Sequence, residues 1–248
     1  MKRFIQLTVT IATVYCFFTN ELTATEIYDT GGPLMQEQAS YDVRFYDLSL
    51  TVNPSDSSID GSVQIKADIV QPIDWFVVDL DTLLSIHKII DMKKPGSESL
   101  MRFHREIGKV WIYLNRTHQP GEAVNLKIYY GDVPRIAKRP PWDGGFTWAK
   151  TADGSPWIAT SCQGEGADIW WPMKDHVSDE PDSMGIHVRI PEPLVCASNG
   201  RLRNVEEHPD NTRTYHWFVS TPINAYNVAL NIAPYRLIEK SYTSVTWE

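Results

Sequence analysis

Residues 61–69 read Gly-Ser-Val-Gln-Ile-Lys-Ala-Asp-Ile, and apolar side chains alternate with polar ones along the stretch. Successive side chains of a β-strand point to opposite faces, so this alternation is typical of a strand with one buried face. The predicted buried face consists of Val63, Ile65, Ala67 and Ile69. The stretch therefore predicts a half-buried β-strand.

Further short strands are predicted along most of the chain. They alternate in the same way or are rich in β-branched and aromatic residues, and they occupy residues 41–52, 75–80, 110–114, 126–130, 185–190, 214–219 and 227–232. In the first run the alternation changes phase between Phe45 and Leu48, which predicts a β-bulge. Turn-forming sequences separate the runs at residues 53–56, 94–97, 119–122 and 198–200. No long stretch shows helical periodicity, so the pattern predicts an all-β fold, an antiparallel β-sandwich.

Composition and charge limit the function classes. The chain has 248 residues, of which 42% are hydrophobic and 22% charged, so it can bury a full core. Its formal net charge is −8, and basic residues cluster no further than pairs such as Lys138-Arg139. Nucleic-acid binders usually carry a basic stripe that neutralises phosphates. The composition therefore predicts no nucleic-acid partner.

The first 24 residues have the layout of a secretory signal peptide. Lys2 and Arg3 precede a mostly apolar run at residues 4–18, and a polar stretch then ends in the small residue Ala24. Cleavage near Ala24 leaves residues 25–248 as one predicted domain. No other segment approaches the roughly 20 apolar residues of a membrane-spanning helix. We therefore expect an exported protein, periplasmic or extracellular, with no membrane span after cleavage.

Two cysteines, Cys162 and Cys196, follow the predicted signal peptide. Two thiols cannot form a four-thiolate zinc site or a dense disulfide framework. A single bridge is possible in an oxidising compartment. Nothing in the sequence brings the two together, so the favoured interpretation is two separate buried thiols.

The segment 133–183 differs from its surroundings, because it is long, rich in Pro, Gly and Trp, and shows no strand pattern. Long loops inside compact domains are more often functional than not. Its centre reads Ser-Cys-Gln-Gly-Glu-Gly-Ala at 161–167, then Trp-Trp-Pro at 170–172 and Asp-Glu-Pro-Asp at 179–182. This arrangement resembles the N-terminal domain of the M1 (gluzincin) family of zinc aminopeptidases.

The resemblance extends to both sides of this segment. Tyr-Asp at 41–42 and 46–47 is similar to the family's opening strand, and Ser-Asn-Gly at 198–200 is similar to its recurrent turn. The family includes aminopeptidase N and bacterial secreted enzymes that resemble leukotriene A4 hydrolase. The resemblance implies a domain that caps the active site of an exported aminopeptidase, which removes N-terminal residues from peptides. It also implies a zinc ion, held by a C-terminal catalytic domain of the same polypeptide.

The resemblance assigns two candidate substrate-binding residues. Gln163 stands at the position whose polar side chain binds the free α-amine of the peptide substrate, and its amide oxygen is a suitable acceptor. Ser161 is a second, weaker candidate, because many relatives carry Gln at that position. Many relatives also carry Glu where Gln163 stands, so specificity is not transferred.

The zinc-binding machinery of the family is missing from this sequence. The family needs His-Glu-x-x-His on a helix, because two imidazoles one turn apart hold zinc and the Glu activates the bound water. None of the seven His residues begins this motif, and the Gly-x-Met-Glu-Asn substrate-binding strand is also absent. The sequence stops at Glu248 within a strand-like run at 242–247. We therefore expect a fragment or truncated product with no metal site or catalytic residue of its own.

Several features have alternative interpretations. Glu165 is interpreted as a turn carboxylate rather than a general base, and the acidic run 179–182 as a turn rather than a metal site. Trp170 and Trp171 fit packing around Pro172 better than a sugar-stacking platform. For the whole chain, the alternatives are a free-standing secreted β-sandwich module that binds peptides or carbohydrate, and a remnant without function.

Overall fold

The computed structural model describes residues 33–92 and 99–241, and its regular structure is almost entirely β-strand. One short helix, α1 (Gln36–Ala39), precedes the first strand. The strands are, in chain order, β1 (Tyr41–Asn53), β2 (Ser58–Ile69), β3 (Ile73–Asp79), β4 (Ser85–Asp91), β5 (Ser99–Leu100), β6 (Phe103–Glu106), β7 (Lys109–His118), β8 (Ala123–Asp132), β9 (Gly145–Lys150), β10 (Pro156–Ser161), β11 (Ser183–Pro191), β12 (Val195–Ala197), β13 (Arg201–His208), β14 (Thr212–Val219) and β15 (Asn231–Ala233). The all-β prediction is confirmed.

The strands form three sheets that share one hydrophobic core. The largest has the order β13-β14-β11-β1-β2-β8-β4-β5, the second β12-β15-β10-β9, and the third β3-β7-β6. One pair departs from the expected antiparallel arrangement, because β1 runs parallel to β11 from Phe45 opposite Ser183 to Thr51 opposite Arg189. A parallel pair needs a long crossover connection. Here that crossover contains most of the other strands.

The alternation in β1 and β2 produces the inner face of the large sheet. Leu48 lies opposite Val63 and Tyr46 opposite Ile65, and these side chains are almost completely buried. The predicted bulge exists, but the register shift lies earlier, between Val43 and Phe45. A bulge turns one extra residue away from the regular pleat.

Aromatic contacts join both the β3-β7-β6 sheet and the segment 162–182 to β1. The rings of Tyr41 and Phe76 stack with centroids 4.0 Å apart, and the Tyr41 hydroxyl donates to the Val77 carbonyl at 2.5 Å. Tyr46 meets the edge of Trp171 at 4.9 Å, with the two ring planes at 90°. Offset and edge-on ring pairs are favourable packing arrangements in protein cores. These contacts fix the segment 162–182 against β1.

Two predictions about irregular regions are wrong in part. Segment 133–183 is not one long loop, because β9 and β10 form a hairpin within it, paired from Lys150 opposite Pro156 to Gly145 opposite Ser161. The predicted strand at 227–232 is largely irregular. Only its last residues belong to β15, and a 3-10 turn, Ala225–Asn227, precedes them.

Some expectations fall on residues that the structure does not describe. These are the predicted signal peptide at 1–24, the turn at 94–97 and the strand-like run at 242–247. Within residues 33–92 and 99–241, no helix is long and apolar enough to cross a bilayer.

Candidate functional site

Gln163 lies in a tight turn that begins where β10 ends. We call residues 162–166 the rim turn. The backbone N–H groups of Glu165 and Gly166 both donate to the Cys162 carbonyl, at 3.2 and 3.0 Å. Gln163 and Gly164 are exposed at the tip, whereas Cys162 is buried. The chain therefore presents the Gln163 amide to solvent on a closed, hydrogen-bonded loop.

Ser161, the second candidate, lies in a different environment. It is the last residue of β10, pairs with Gly145 of β9, and is only half-buried. The two candidates are thus close along the chain, with Ser161 in the sheet and Gln163 beyond it.

A buried thiol lies beneath the rim turn. The indole Nε1 of Trp170 donates to Cys162 Sγ at 3.3 Å. Burial raises the pKa of the Cys162 thiol to about 12, so it remains protonated at neutral pH. Cys196 is also a free, buried thiol, which confirms the interpretation of two separate cysteines. A protonated thiol is a poor nucleophile, so Cys162 supports the turn as a packed apolar group.

Glu165 fixes one side of the rim turn. Its carboxylate forms an ion pair with Arg135 and accepts a hydrogen bond from the Gly144 N–H at 3.1 Å. The Arg135 Nε also contacts Asp81 Oδ2 at 3.2 Å, and Asp81 is completely buried. Each of these contacts is structural, so the interpretation of Glu165 as a turn carboxylate is confirmed.

The other side of the rim turn rests on a carboxylate. Gly166 has a φ of +81°, and a Cβ at this position would lie 2.1 Å from Asp175 Oδ2. The Asp175 backbone N–H donates to Asp79 Oδ2 at 2.8 Å. Asp79 is buried, and it also accepts from the Gln38 side chain at 2.6 Å and pairs with Lys109. Glycine is needed at position 166, because any side chain would displace this support.

Asp168 adds a buried carboxyl group to the same region. Burial, and then the charges of Asp175 and Asp79, raise its pKa well above the ordinary value. Its backbone carbonyl accepts from the Asp81 N–H at 2.9 Å. Its Oδ1 has no hydrogen-bond partner among the described residues. The rim turn therefore lies over a compact group of acidic side chains, of which Asp79 pairs with Lys109 and Asp81 with Arg135.

The acidic run 179–182 anchors the segment to β1. Asp179 Oδ2 lies 2.6 Å from Lys174 Nζ, and both side chains are 5% exposed. Asp182 Oδ2 lies 2.9 Å from Nη2 of Arg44, the residue at the bulge. These carboxylates hold cations of the protein itself, and the run is irregular chain that follows a turn at 177–178 and leads into β11.

The tryptophan pair and the remaining acidic groups serve packing. Trp170 and Trp171 are completely buried, so the packing interpretation is confirmed and a sugar platform at this position is wrong. Within the described parts of the chain, no three or more His, Cys, Asp or Glu side chains are arranged to hold a metal ion.

Sequence reasoning missed the groups that support the rim turn, chiefly Asp79, Asp81, Arg135 and Asp168. One signal was available. Val-Asp-Leu-Asp at 78–81 places two carboxylates at the end of an apolar strand, where burial requires paired or hydrogen-bonded partners.

Comparisons with known proteins concern the family and the fold of the chain. The family model described as the peptidase M1 N-terminal domain matches residues 42–226. A solved structure of a mutant M1 zinc metallopeptidase from Deinococcus radiodurans, bound to a Tyr-Ser-Ala substrate, superposes with a TM-score of 0.68 at 23% identity, covering 84% of this chain and 45% of that one. Native yeast LTA4 hydrolase gives 0.59 at 20% identity, covering 79% and 29%. At these identities the likeness to solved structures concerns the fold.

One sequence relative is named for a role other than peptide hydrolysis. Transcription initiation factor TFIID subunit 2 of Drosophila melanogaster is 25% identical over 121 residues, which are 48% of this chain and 10% of that protein. This chain therefore spans a small part of that relative, and less than half of the solved structures named above. The family match covers most of the chain independently of these relatives. The chain therefore belongs to the peptidase M1 family, and residues 42–226 are its N-terminal domain.

Proposed function

We propose that this domain caps the substrate site of an exported zinc metallo-aminopeptidase that removes N-terminal residues from peptides. The observation that carries the proposal is the family match over residues 42–226. Zinc supplies an activated water in such enzymes. The described residues do not form a zinc site, so the proposal assigns the metal to a catalytic domain of the same polypeptide.

Gln163 is the residue of this chain that we assign to substrate binding. The substrate's α-ammonium has only donors, so it requires an acceptor such as the amide oxygen of Gln163. The exposed tip of the rim turn leaves this oxygen free to face a neighbouring domain. The contacts of Glu165 and Gly166 limit the movement of the turn, and preorganised groups lose less entropy on binding.

The decisive experiment compares Gln163→Ala with the unsubstituted full-length enzyme, using an aminoacyl 4-nitroanilide as substrate. A hydrogen bond to a charged group contributes about 1.5–3 kcal/mol. We therefore expect kcat/KM to fall roughly tenfold to a hundredfold. Gln163→Glu should retain or increase activity, because a carboxylate attracts the ammonium more strongly than a neutral amide.

Gln71 offers a matched control, since it is an exposed Gln in a turn of the same domain. Gln71→Ala is expected to leave kcat/KM unchanged. Loss of activity in full-length protein treated with a zinc chelator tests the enzyme assignment separately. If Gln163→Ala retains kcat/KM within about twofold while the chelator abolishes activity, the role of Gln163 is wrong and the enzyme assignment stands.

Ser161 and export are parts of the proposal with their own tests. We assign Ser161 a weaker contact with the substrate, so Ser161→Ala should change kcat/KM less than Gln163→Ala.

Export predicts that the mature protein is found outside the cytoplasm with an N-terminus close to residue 25. N-terminal sequencing of that fraction would contradict the signal peptide if the chain still begins at Met1.

A second candidate function is a free-standing module that binds peptides or carbohydrate. One observation favours it: a cavity of about 280 Å³ on the β3-β7-β6 sheet, lined by Trp75, Arg102, Phe103, His104 and Tyr113. Aromatic faces suit the apolar faces of such ligands. Calorimetric titration of the purified chain with peptides and oligosaccharides distinguishes the candidates, because saturable binding abolished by Trp75→Ala would support the module.

A further inference from the structure

The exposed face of the large sheet carries a line of four ionisable side chains that the proposed function does not use. They lie on the four adjacent strands β1, β11, β14 and β13. His187 Nε2 lies 2.9 Å from Asp47 Oδ1, and His216 Nε2 lies 3.4 Å from Glu206 Oε2. Between them, the two Nδ1 atoms face each other at 2.8 Å.

This arrangement orients both imidazoles for metal binding. A histidine that ligates a metal through one ring nitrogen almost always donates the other N–H to a carboxylate or carbonyl oxygen. Asp47 is placed to accept from the Nε2–H group of His187, and the Glu206 carboxylate lies within ion-pair distance of His216 Nε2. The two Nδ1 atoms are then left to share one proton in a hydrogen bond, and a metal ion that displaces this proton can be bound by both nitrogens.

The distance between the two Nδ1 atoms can be compared with the spacing of two imidazole ligands on one metal ion. Imidazole nitrogens bind transition metals at about 2.0 Å. Two such ligands at a right angle are about 2.8 Å apart, whereas two tetrahedral ligands are about 3.3 Å apart. The observed 2.8 Å is the length of the hydrogen bond between the two rings, and it is also close to the spacing of two ligands at a right angle. Cu²⁺ prefers this geometry and stands highest in the affinity order of the first-row divalent metals.

The local backbone is suited to this cluster. His187 and His216 are direct cross-strand partners in the register of β11 and β14. Two residues before His187, a Cβ on Gly185 would lie 2.3 Å from Asp47 Oδ1 and 3.2 Å from His187 Nε2. Only glycine leaves room for the contact between this carboxylate and imidazole. The imidazoles are 29% and 25% exposed, so water can reach a bound metal.

We propose that His187 and His216 form a bidentate Cu²⁺ site through their Nδ1 atoms. Asp47 and Glu206 position the rings, and water completes the coordination. No larger cluster of potential metal ligands exists in the described residues, so the protein supplies two ligands. The site lies on a different sheet from the rim turn and does not depend on the aminopeptidase proposal.

The test is titration of the purified protein with CuSO₄ at neutral pH, followed by calorimetry and by pulsed electron paramagnetic resonance. We expect one Cu²⁺ per chain with two equivalent imidazole nitrogens in its spectrum. His187→Gln and His216→Gln should each weaken binding by at least tenfold and leave one imidazole. Asp47→Asn should weaken binding about tenfold to a hundredfold, the usual effect of removing an orienting carboxylate.

His87 provides the matched control. It lies on β4 of the same sheet and pairs with the Asp60 carboxylate at 3.3 Å. His87→Gln is expected to leave Cu²⁺ binding unchanged. A spectrum of the unsubstituted protein with fewer than two bound imidazoles would overturn the proposal, even if a variant fails to fold. Equal affinity in the His187→Gln and His216→Gln variants would overturn it as well.

Discussion

The buried ion pair of Lys174 and Asp179 allows a quantitative test of how the rim segment is held. Lys174 Nζ lies 2.6 Å from Asp179 Oδ2 and also donates to the Tyr41 carbonyl at 2.8 Å. Both side chains of the pair are 5% exposed. The substitution Lys174→Met keeps the length and most of the volume of the side chain but removes its charge, these two contacts and the position of the ammonium over the Tyr41 ring.

The expected cost follows from the group left behind. After Lys174→Met, the Asp179 carboxylate retains, among the described residues, one weak contact from the Val43 N–H at 3.4 Å. Removing one partner of a buried pair typically costs about 3–5 kcal/mol, because the remaining charge is uncompensated. Burial already raises the pKa of Asp179, and loss of the cation should raise it further. The double variant Lys174→Met/Asp179→Asn should be more stable than Lys174→Met alone, since it removes the stranded charge.

Urea unfolding followed by tryptophan fluorescence measures these differences, with the slope checked for two-state behaviour. For a domain of this size, thermal midpoints shift about 2–4 °C per kcal/mol, so Lys174→Met should lower Tm by about 6–20 °C. Arg116→Met removes an exposed pair with Glu122 and serves as the control. Exposed ion pairs contribute little to the free energy of unfolding, so this variant should have the same urea midpoint as the unsubstituted protein. A Lys174→Met midpoint equal to that of Arg116→Met would refute the reasoning.

Two more predictions concern the groups under the rim turn. Gly166→Ala should be less stable than Gly164→Ala in thermal unfolding by about 1–3 kcal/mol. Both glycines have a φ of +81°, but only the Cβ at 166 meets Asp175, and equal losses would contradict this contact. Asp168→Asn tests the raised pKa of Asp168. The folded state keeps a proton that the unfolded chain releases, so wild-type stability falls as pH rises from the unfolded pKa toward the folded pKa. Asp168→Asn should lack this loss of stability at higher pH. The urea midpoints of the variant and the unsubstituted protein are measured from acidic to neutral pH. If the two midpoints change in parallel, the assignment is wrong.

The strands were the most predictable part of the fold. From Val63 to Ile69 every second side chain of β2 is buried, so the period-two alternation was enough to identify both the strand and its inner face, although Ser62 is buried as well. The hairpin of β9 and β10 lacks this signal, because half-buried positions dominate both strands and the pattern is weak. Its pairing depends on tertiary contacts, which override local preference.

The rim turn was predictable from resemblance, and its supports were not. The motif at 161–167 is the basis on which Gln163 is proposed as a substrate contact, whereas Glu165 is held by Arg135 and Gly166 rests on Asp175. These partners come from separate parts of the sequence. Charge patterns show which side chains need a partner when buried, but the partner depends on the topology.

The surface site shows the same limit most clearly. Asp47 and His187 are 140 residues apart in sequence and meet because β1 and β11 pair in parallel. The antiparallel arrangement expected from the short strands gave no reason to place these two strands side by side. His187 and His216 taken alone are two ordinary polar positions on exposed strand faces. The parallel pair brings a carboxylate to His187, and that carboxylate turns the Nδ1 of His187 toward His216. The copper proposal therefore depends on a feature of the topology that differs from the sequence-based prediction, and the Asp47→Asn variant tests that dependence directly.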